Sequence, residues 1–148
     1  MGTRYRGTKE EVRALDTYIK LIRAADSASS RIHRHLEGTK LTITQFGVLE
    51  ALFHLGSLYQ RDLAEKLLKS GGNITLVIDN LEKQELVKRD RQIEDRRCIK
   101  VSLTDKGQQL ISQIFPSHVA AVVNEMSILS ALEQEELSRL CRRLGKQE

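Results

Sequence analysis

The sequence contains no tryptophan, three tyrosines, three phenylalanines and one proline among its 148 residues. So few rings exclude the stacking platforms that hold single-stranded nucleic acids, where successive bases lie on successive aromatic faces. Two cysteines, Cys98 and Cys141, are too few and too far apart for a disulfide framework, so a reducing cytoplasm is expected. Long apolar runs are also missing. The longest, residues 119–123, falls far short of the ~20 residues that cross a bilayer, so no membrane partner is expected. Residues 1–13 are polar and charged, unlike a secretory signal, and Arg6 stands where a myristoylation site has Ser or Thr. There is no phosphate-cradling glycine motif and no nucleophile elbow, and the acids are interleaved with Lys and Arg in the pattern of solvated helix faces. An enzyme is therefore not expected, nor a cofactor.

What is present suits one folded domain. Hydrophobic residues make up 40% and charged residues 30% of the chain, and a chain of this size buries roughly 70% of its unfolded surface. Twenty-four Lys and Arg against twenty acids give a net charge of +4. That mild excess favours a polyanion, and with so few aromatics the polyanion is duplex DNA rather than a single strand.

Apolar spacing predicts a long first helix through Val12, Leu15, Ile19, Ile22, Ile32 and Leu36, stopped by Gly38. Thr42 with Gln45 forms a capping box that opens a second helix, whose stripe is Phe46, Leu49, Leu52 and Phe53 and which closes at Gly56. A short third helix over 60–68 turns Leu63, Ala64, Leu67 and Leu68 inward. A fourth, over about 72–85 with Ser70 as its cap, buries Ile74, Val77, Ile78 and Leu81. The period then shortens. Leu86-Val87-Lys88-Arg89 and the run from Cys98 to Leu103 read as two strands around a charged tip, 90–97, that holds Arg91, Arg96 and Arg97 against Asp90, Glu94 and Asp95. Thr104 caps a fifth helix, in which Pro116 marks a kink or joint. Ser130 with Glu133 opens a sixth, with Leu137, Leu140, Cys141 and Leu144 on one face that would be buried.

Three short helices followed at once by a charged hairpin are the layout of a winged helix-turn-helix. The fold expected is mainly α with a small β-hairpin wing. One helix fits the major groove with its first residues at the base edges, and a hairpin beside it can carry a cation into the minor groove. The fourth helix begins Ser70-Gly71-Gly72-Asn73-Ile74-Thr75-Leu76. Ser70, Asn73 and Thr75 offer short polar groups, Gly71 and Gly72 let the backbone approach phosphate, and Leu76 lies off the buried stripe.

From Leu41 to Leu103, and more loosely over nearly the whole chain, the sequence resembles the MarR family of transcriptional regulators. The resemblance is carried by Leu63-Ala64-Glu65, Ile74-Thr75, Leu81-Glu82, Leu86-Val87, Asp95-Arg96-Arg97, Leu103-Thr104 and Gly107, with Leu129-Ser130, Glu135 and Leu137 in the closing helix. It implies a single domain over 1–148, with helical dimerisation segments at 9–37 and 105–146 and a DNA-binding lobe at 42–103. It also implies a homodimer on a palindromic operator, acting as a repressor that a small phenolic or other aromatic ligand releases. By position, Asp95 would orient an arginine and Arg97 would enter the minor groove, while Ser70, Gly72, Asn73, Thr75 and Leu76 match positions of the recognition helix that face DNA. The chain departs from the family at Tyr59, where Ser or Thr often caps the third helix. A dimer is also expected from the apolar stripes of the first and last two helices, which a small helix-turn-helix core could not cover.

Three other readings compete. His33 and His35, two apart on a helix, point to different faces, His33 shares a face only with Glu37, and His54 and His118 stand alone, so no metal site is expected. Cys98, directly after Arg97, would be a redox sensor if the positive neighbour lowered its thiol pKa. A helical module that binds a protein partner is the remaining class, distinguished from a DNA binder by weak salt dependence.

Overall fold

The computed structural model describes residues 2–67, 71–91 and 98–147. Its backbone forms two compact units, Leu36–Ser117 and Met1–His35 together with His118–Glu148.

In the first unit, helix α2 (Ile43–Leu55) begins at the expected capping box. The Gln45 amide N–H donates to Thr42 Oγ1 at 3.2 Å, and the Thr42 N–H donates back to Gln45 Oε1 at 3.0 Å. Phe46, Val48, Leu49 and Leu52 of α2 are all buried, so this helix forms the centre of the core rather than one wall of it. Gly56, at φ +78°, then reverses the chain in a conformation that costs a side-chain-bearing residue strain. A strand of two residues, β1 (Leu58–Tyr59), comes next, followed by α3 (Gln60–Lys66) and α4 (Gly71–Lys83). Ile74, Ile78 and Leu81 of α4 are fully buried, and Val77 packs at the margin of the core.

The end of α4 is closed by backbone geometry. Leu86 N–H reaches Leu81 O at 3.0 Å and Glu85 N–H reaches Glu82 O at 2.9 Å, with Glu85 left-handed at φ +62°. This is the paired 6→1 and 5→2 pattern that usually uses glycine at the left-handed position. Strands β2 (Val87–Arg91) and β3 (Ile99–Leu103) then pair antiparallel, Arg89 opposite Val101. The sequence pattern predicts a two-stranded hairpin, but the sheet has three strands in the order β1-β3-β2, with Leu58 opposite Val101 and Tyr59 opposite Lys100. Two residues are too short to show a period, so β1 left no signal in the sequence.

Helix α5 (Asp105–Met126) starts where expected. Thr104 Oγ1 accepts from Gly107 N–H at 3.0 Å and donates to Glu85 O at 2.6 Å, tying the turn before β2 to the start of α5. The helix runs past Pro116 without interruption, and the boundary between the two units follows one residue later, after Ser117. Leu110, Ile114 and Phe115 pack on the first unit's core around buried Ile111.

The second unit contains α1 (Lys9–Ile32), the later part of α5, and α6 (Ala131–Lys146). α1 is capped by Thr8 and Glu11, and α6 by Ser130 and Glu133. Arg31 of α1 grips Glu125 of α5 with two prongs, Nε to both carboxylate oxygens at 2.8 and 3.0 Å and Nη2 to Oε1. That contact holds the Glu125 carboxyl below its ordinary pKa. Neither α1 nor α6 has a fully buried residue. Leu15, Ile22, Val119, Val123, Leu137, Leu140 and Leu144 are all exposed. Cys141, expected to be buried with its stripe, is exposed too, as are Leu137, Leu140 and Leu144 on the same face.

The last turn of the first predicted helix differs from expectation. At His33 the α-helix gives way to a 3₁₀ turn, His33–Leu36. The tighter winding carries neighbours at i and i+2 nearer to one side than an α-helix does. His33 and His35 therefore lie with ring centroids 6.2 Å apart instead of on separate faces.

Candidate nucleic-acid interface

α3 and α4 meet as a helix pair beside the sheet. Tyr59 is the N-cap residue of α3, and its side chain makes no capping bond, as its departure from the Ser/Thr pattern suggests. It sits in β1 instead, and the Arg61 guanidinium lies 5.8 Å from its ring centroid. Gln60, the first residue of α3, reaches across to α4, where its Nε2 donates to Thr75 Oγ1 at 2.9 Å.

The core stripe of α4 fixes which residues face outward. With Ile74, Ile78 and Leu81 inward, Asn73, Thr75 and Leu76 are exposed, and Leu76 is 62% accessible despite being apolar. Gly71 and Gly72 form the first turn. Ser70, Asp95, Arg96 and Arg97 lie outside the described residues, as does Leu68. Of the expected interface, then, Gly71, Gly72, Asn73, Thr75 and Leu76 are brought to one helix end. Cys98 is half-buried just before β3.

The charge pattern separates two kinds of arginine. Arg89, in the middle of β2, turns inward against α4. Its Nη1 bonds Asp79 Oδ1 at 2.5 Å and lies 3.6 Å from Glu82 Oε1, and its Nη2 donates to the Thr75 carbonyl at 3.1 Å. Lys88, Arg91 and Lys100 are exposed on the same hairpin. Sequence reasoning missed both Gln60 and Arg89. The only signal was that β2 alternates, which puts Arg89 on the same face as buried Val87.

The second unit holds a histidine cluster that the sequence analysis also missed, having placed His118 alone. His35 Nε2 is 3.0 Å from His118 Nδ1, and His33 Nδ1 is 2.7 Å from the Ser29 carbonyl. Burial pushes the His35 pKa down, and the neighbouring His118 and His33 push it further. Among the described residues, no group of three or more His, Cys, Asp or Glu is placed to hold a metal ion. His54, the other histidine expected to stand alone, packs edge-on to Phe53 and Phe115. Among the described residues, no helix is long and apolar enough to cross a membrane.

A buried helix stripe with polar residues outward at one end, braced by a neighbouring helix and flanked by a charged antiparallel hairpin, defines a winged helix-turn-helix protein. Residues 41–99 match the model of the MarR family. The HTH-type transcriptional regulator MhqR of Bacillus subtilis (strain 168) is 35% identical over 133 residues, which cover 90% of this chain and 92% of that protein. Among solved structures, Sco3205, a MarR family transcriptional regulator from Streptomyces coelicolor in complex with DNA, superposes with a TM-score of 0.83 at 22% identity, covering 97% of this chain and 91% of that one. The PcaV transcriptional regulator from Streptomyces coelicolor, in complex with its natural ligand, superposes with a TM-score of 0.75 at 25% identity, covering 85% and 89%. The chain belongs to the MarR family of transcriptional regulators, which are DNA-binding proteins and not enzymes.

Proposed function

We propose that this chain is a dimeric, sequence-specific repressor that binds a palindromic duplex operator and is released by a small aromatic or phenolic ligand. The observation that carries the reading is the division of α4, with Ile74, Ile78 and Leu81 sealed in the core while Asn73, Thr75 and Leu76 face outward at its first turns. Asn73 has the bidentate amide that pairs with adenine, and the Thr75 methyl and Leu76 suit the thymine methyl. Ser70, Gly71 and Gly72 supply backbone and hydroxyl donors to phosphate. On the wing, Asp95 orients an arginine, and Arg96 and Arg97 meet the backbone and the minor groove.

Segment 42–103 is the DNA-binding lobe, and 9–37 with 105–146 form the dimerisation region. The uncovered leucines and valines of α1, the later part of α5 and α6 support pairing through that region, since two-fold pairing would cover them, while residues 110–115 of α5 pack on the lobe. Two subunits bring two lobes to two half-sites and raise the net charge to +8, twice the +4 of one chain, which strengthens attraction to DNA. Release by a ligand rests on family membership and on the ligand-bound state of PcaV.

The test is an anisotropy titration of labelled duplexes selected from a random pool. Arg97→Ala is expected to weaken binding by about 1–3 kcal/mol, most on sites with narrow A·T minor grooves, while Asn73→Ala relaxes preference at single base pairs. Unchanged affinity in the Arg97 variant would remove the wing from the reading.

A further inference from the structure

We propose that Gln60 and Arg89 are positioning residues which fix the rotation of α4 about its own axis, so that discrimination between DNA sequences depends on two side chains that do not touch DNA. The inference rests on the reading of α4 as the helix that faces base edges.

Thr75 is held from two directions. Its carbonyl accepts from Arg89 Nη2 at 3.1 Å, and its hydroxyl accepts from Gln60 Nε2 at 2.9 Å. The same guanidinium bonds Asp79 and lies near Glu82, four and seven positions further along the helix and therefore on the same face as Thr75. β2 thus grips one side of α4 at three points, and α3 grips it at a fourth. Arg89 is only 15% exposed and sits among two carboxylates, so its charge is committed within the protein rather than offered to phosphate. Gln60 is half-buried, with its Oε1 enclosed and without a partner, an arrangement whose return is the single bond to Thr75.

Core packing sets this rotation coarsely, and directional bonds narrow it. Ile74, Ile78 and Leu81 hold α4 against the core by contacts that are non-directional, whereas hydrogen bonds weaken steeply off axis. Side-chain tips lie about 5–6 Å from a helix axis. A turn of about 10–20° therefore displaces them by about 1–2 Å, enough to lose a bidentate contact to a base edge while phosphate contacts readjust.

The test uses the full chain with a selected cognate duplex and a scrambled duplex of equal length, titrated at several salt concentrations. Arg89→Lys keeps the charge but loses the planar fork, and Gln60→Ala loses the amide. In both variants the ratio of cognate to scrambled affinity is expected to fall at least about tenfold. Scrambled-duplex affinity and the slope of log K against log salt should match those of the unsubstituted chain. Asp79→Asn, nearly the same size, should give the same loss should the Arg89 variant fail to fold. Retention of the affinity ratio in folded variants overturns the proposal, as does a shallower salt slope in Arg89→Met, whose lost charge would then mark Arg89 as a phosphate contact. An unsubstituted chain that binds both duplexes equally overturns the reading of α4 beneath it, and with it the proposal.

Discussion

Gly107 shows how one residue can be dictated by contact. A Cβ built on it would lie 2.0 Å from the Leu86 carbonyl oxygen, a backbone atom already held by the Thr104 N–H at 3.1 Å. Neither side can give way cheaply, because the turn after α4 and the start of α5 are tied by the same threonine. Gly107→Ala is expected to destabilise the fold by about 1–3 kcal/mol, read as a lower midpoint in chemical denaturation with an unchanged slope. His35 carries a different kind of constraint. Its pKa is lowered in the folded chain, chiefly by burial, from the ordinary 6.5, so folding favours the neutral ring. The stability this contributes is complete above the unfolded value and is lost as pH falls through the lower, folded one. The melting temperature should hold between about pH 8 and 7 and fall below about 6.5, and the fall should be shallower in His35→Gln. A parallel decline in both proteins would assign the effect to groups other than His35, whereas the carboxyls of Glu125 and Glu133, held below the ordinary 4.5 by Arg31 and Ser130, give up their contribution only below about pH 4.5.

At the scale of elements, what was legible in the sequence was what is local. The capping boxes at Thr42 and Ser130 involve residues three apart, and both form as their spacing implies. The stripes of α2 and α4 repeat at helical spacing, and their apolar residues are buried or packed at the core's margin. The elements that escaped depend on chain partners far away. β1 exists only because β3 pairs with it, some forty residues later. The histidine cluster needs a 3₁₀ turn to swing His33 and His35 together, and it needs His118, 83 positions from His35. Arg89 was hidden for another reason. Within Lys88-Arg89-Asp90-Arg91 it reads as one more solvated charge, and only the pleat of β2 against α4 singles it out. The site was therefore legible where it consists of residues at the start of one helix, and illegible where it consists of the residues that hold that helix in place.

At the scale of the whole molecule, the second unit is unsatisfied as a single chain. Leu137, Leu140 and Leu144 of α6 are between 40% and 55% exposed, alongside Val119 and Val123 of α5 and Leu15 and Ile22 of α1. Surfaces of this kind mark interaction sites, and in the proposed dimer the partner subunit covers this one. Because these leucines are already accessible, replacing two of them should leave the fold of each chain intact. Leu140→Asp combined with Leu144→Asp is expected to convert a species of twice the chain mass into one of single mass in sedimentation velocity. Affinity for a two-half-site duplex should fall toward that for one half-site. A persistent double-mass species would move the subunit contact away from α6.

The most direct measurement of the central claim is a base-resolved footprint of the intact protein on a selected duplex, combining guanine and adenine methylation with hydroxyl-radical cleavage. The account predicts two patches protected in the major groove, with centres about one helical turn apart or a multiple of it, each flanked by protection in the minor groove where the wing reaches. Protection confined to the sugar–phosphate backbone, with every base edge as reactive as in free DNA, would contradict it.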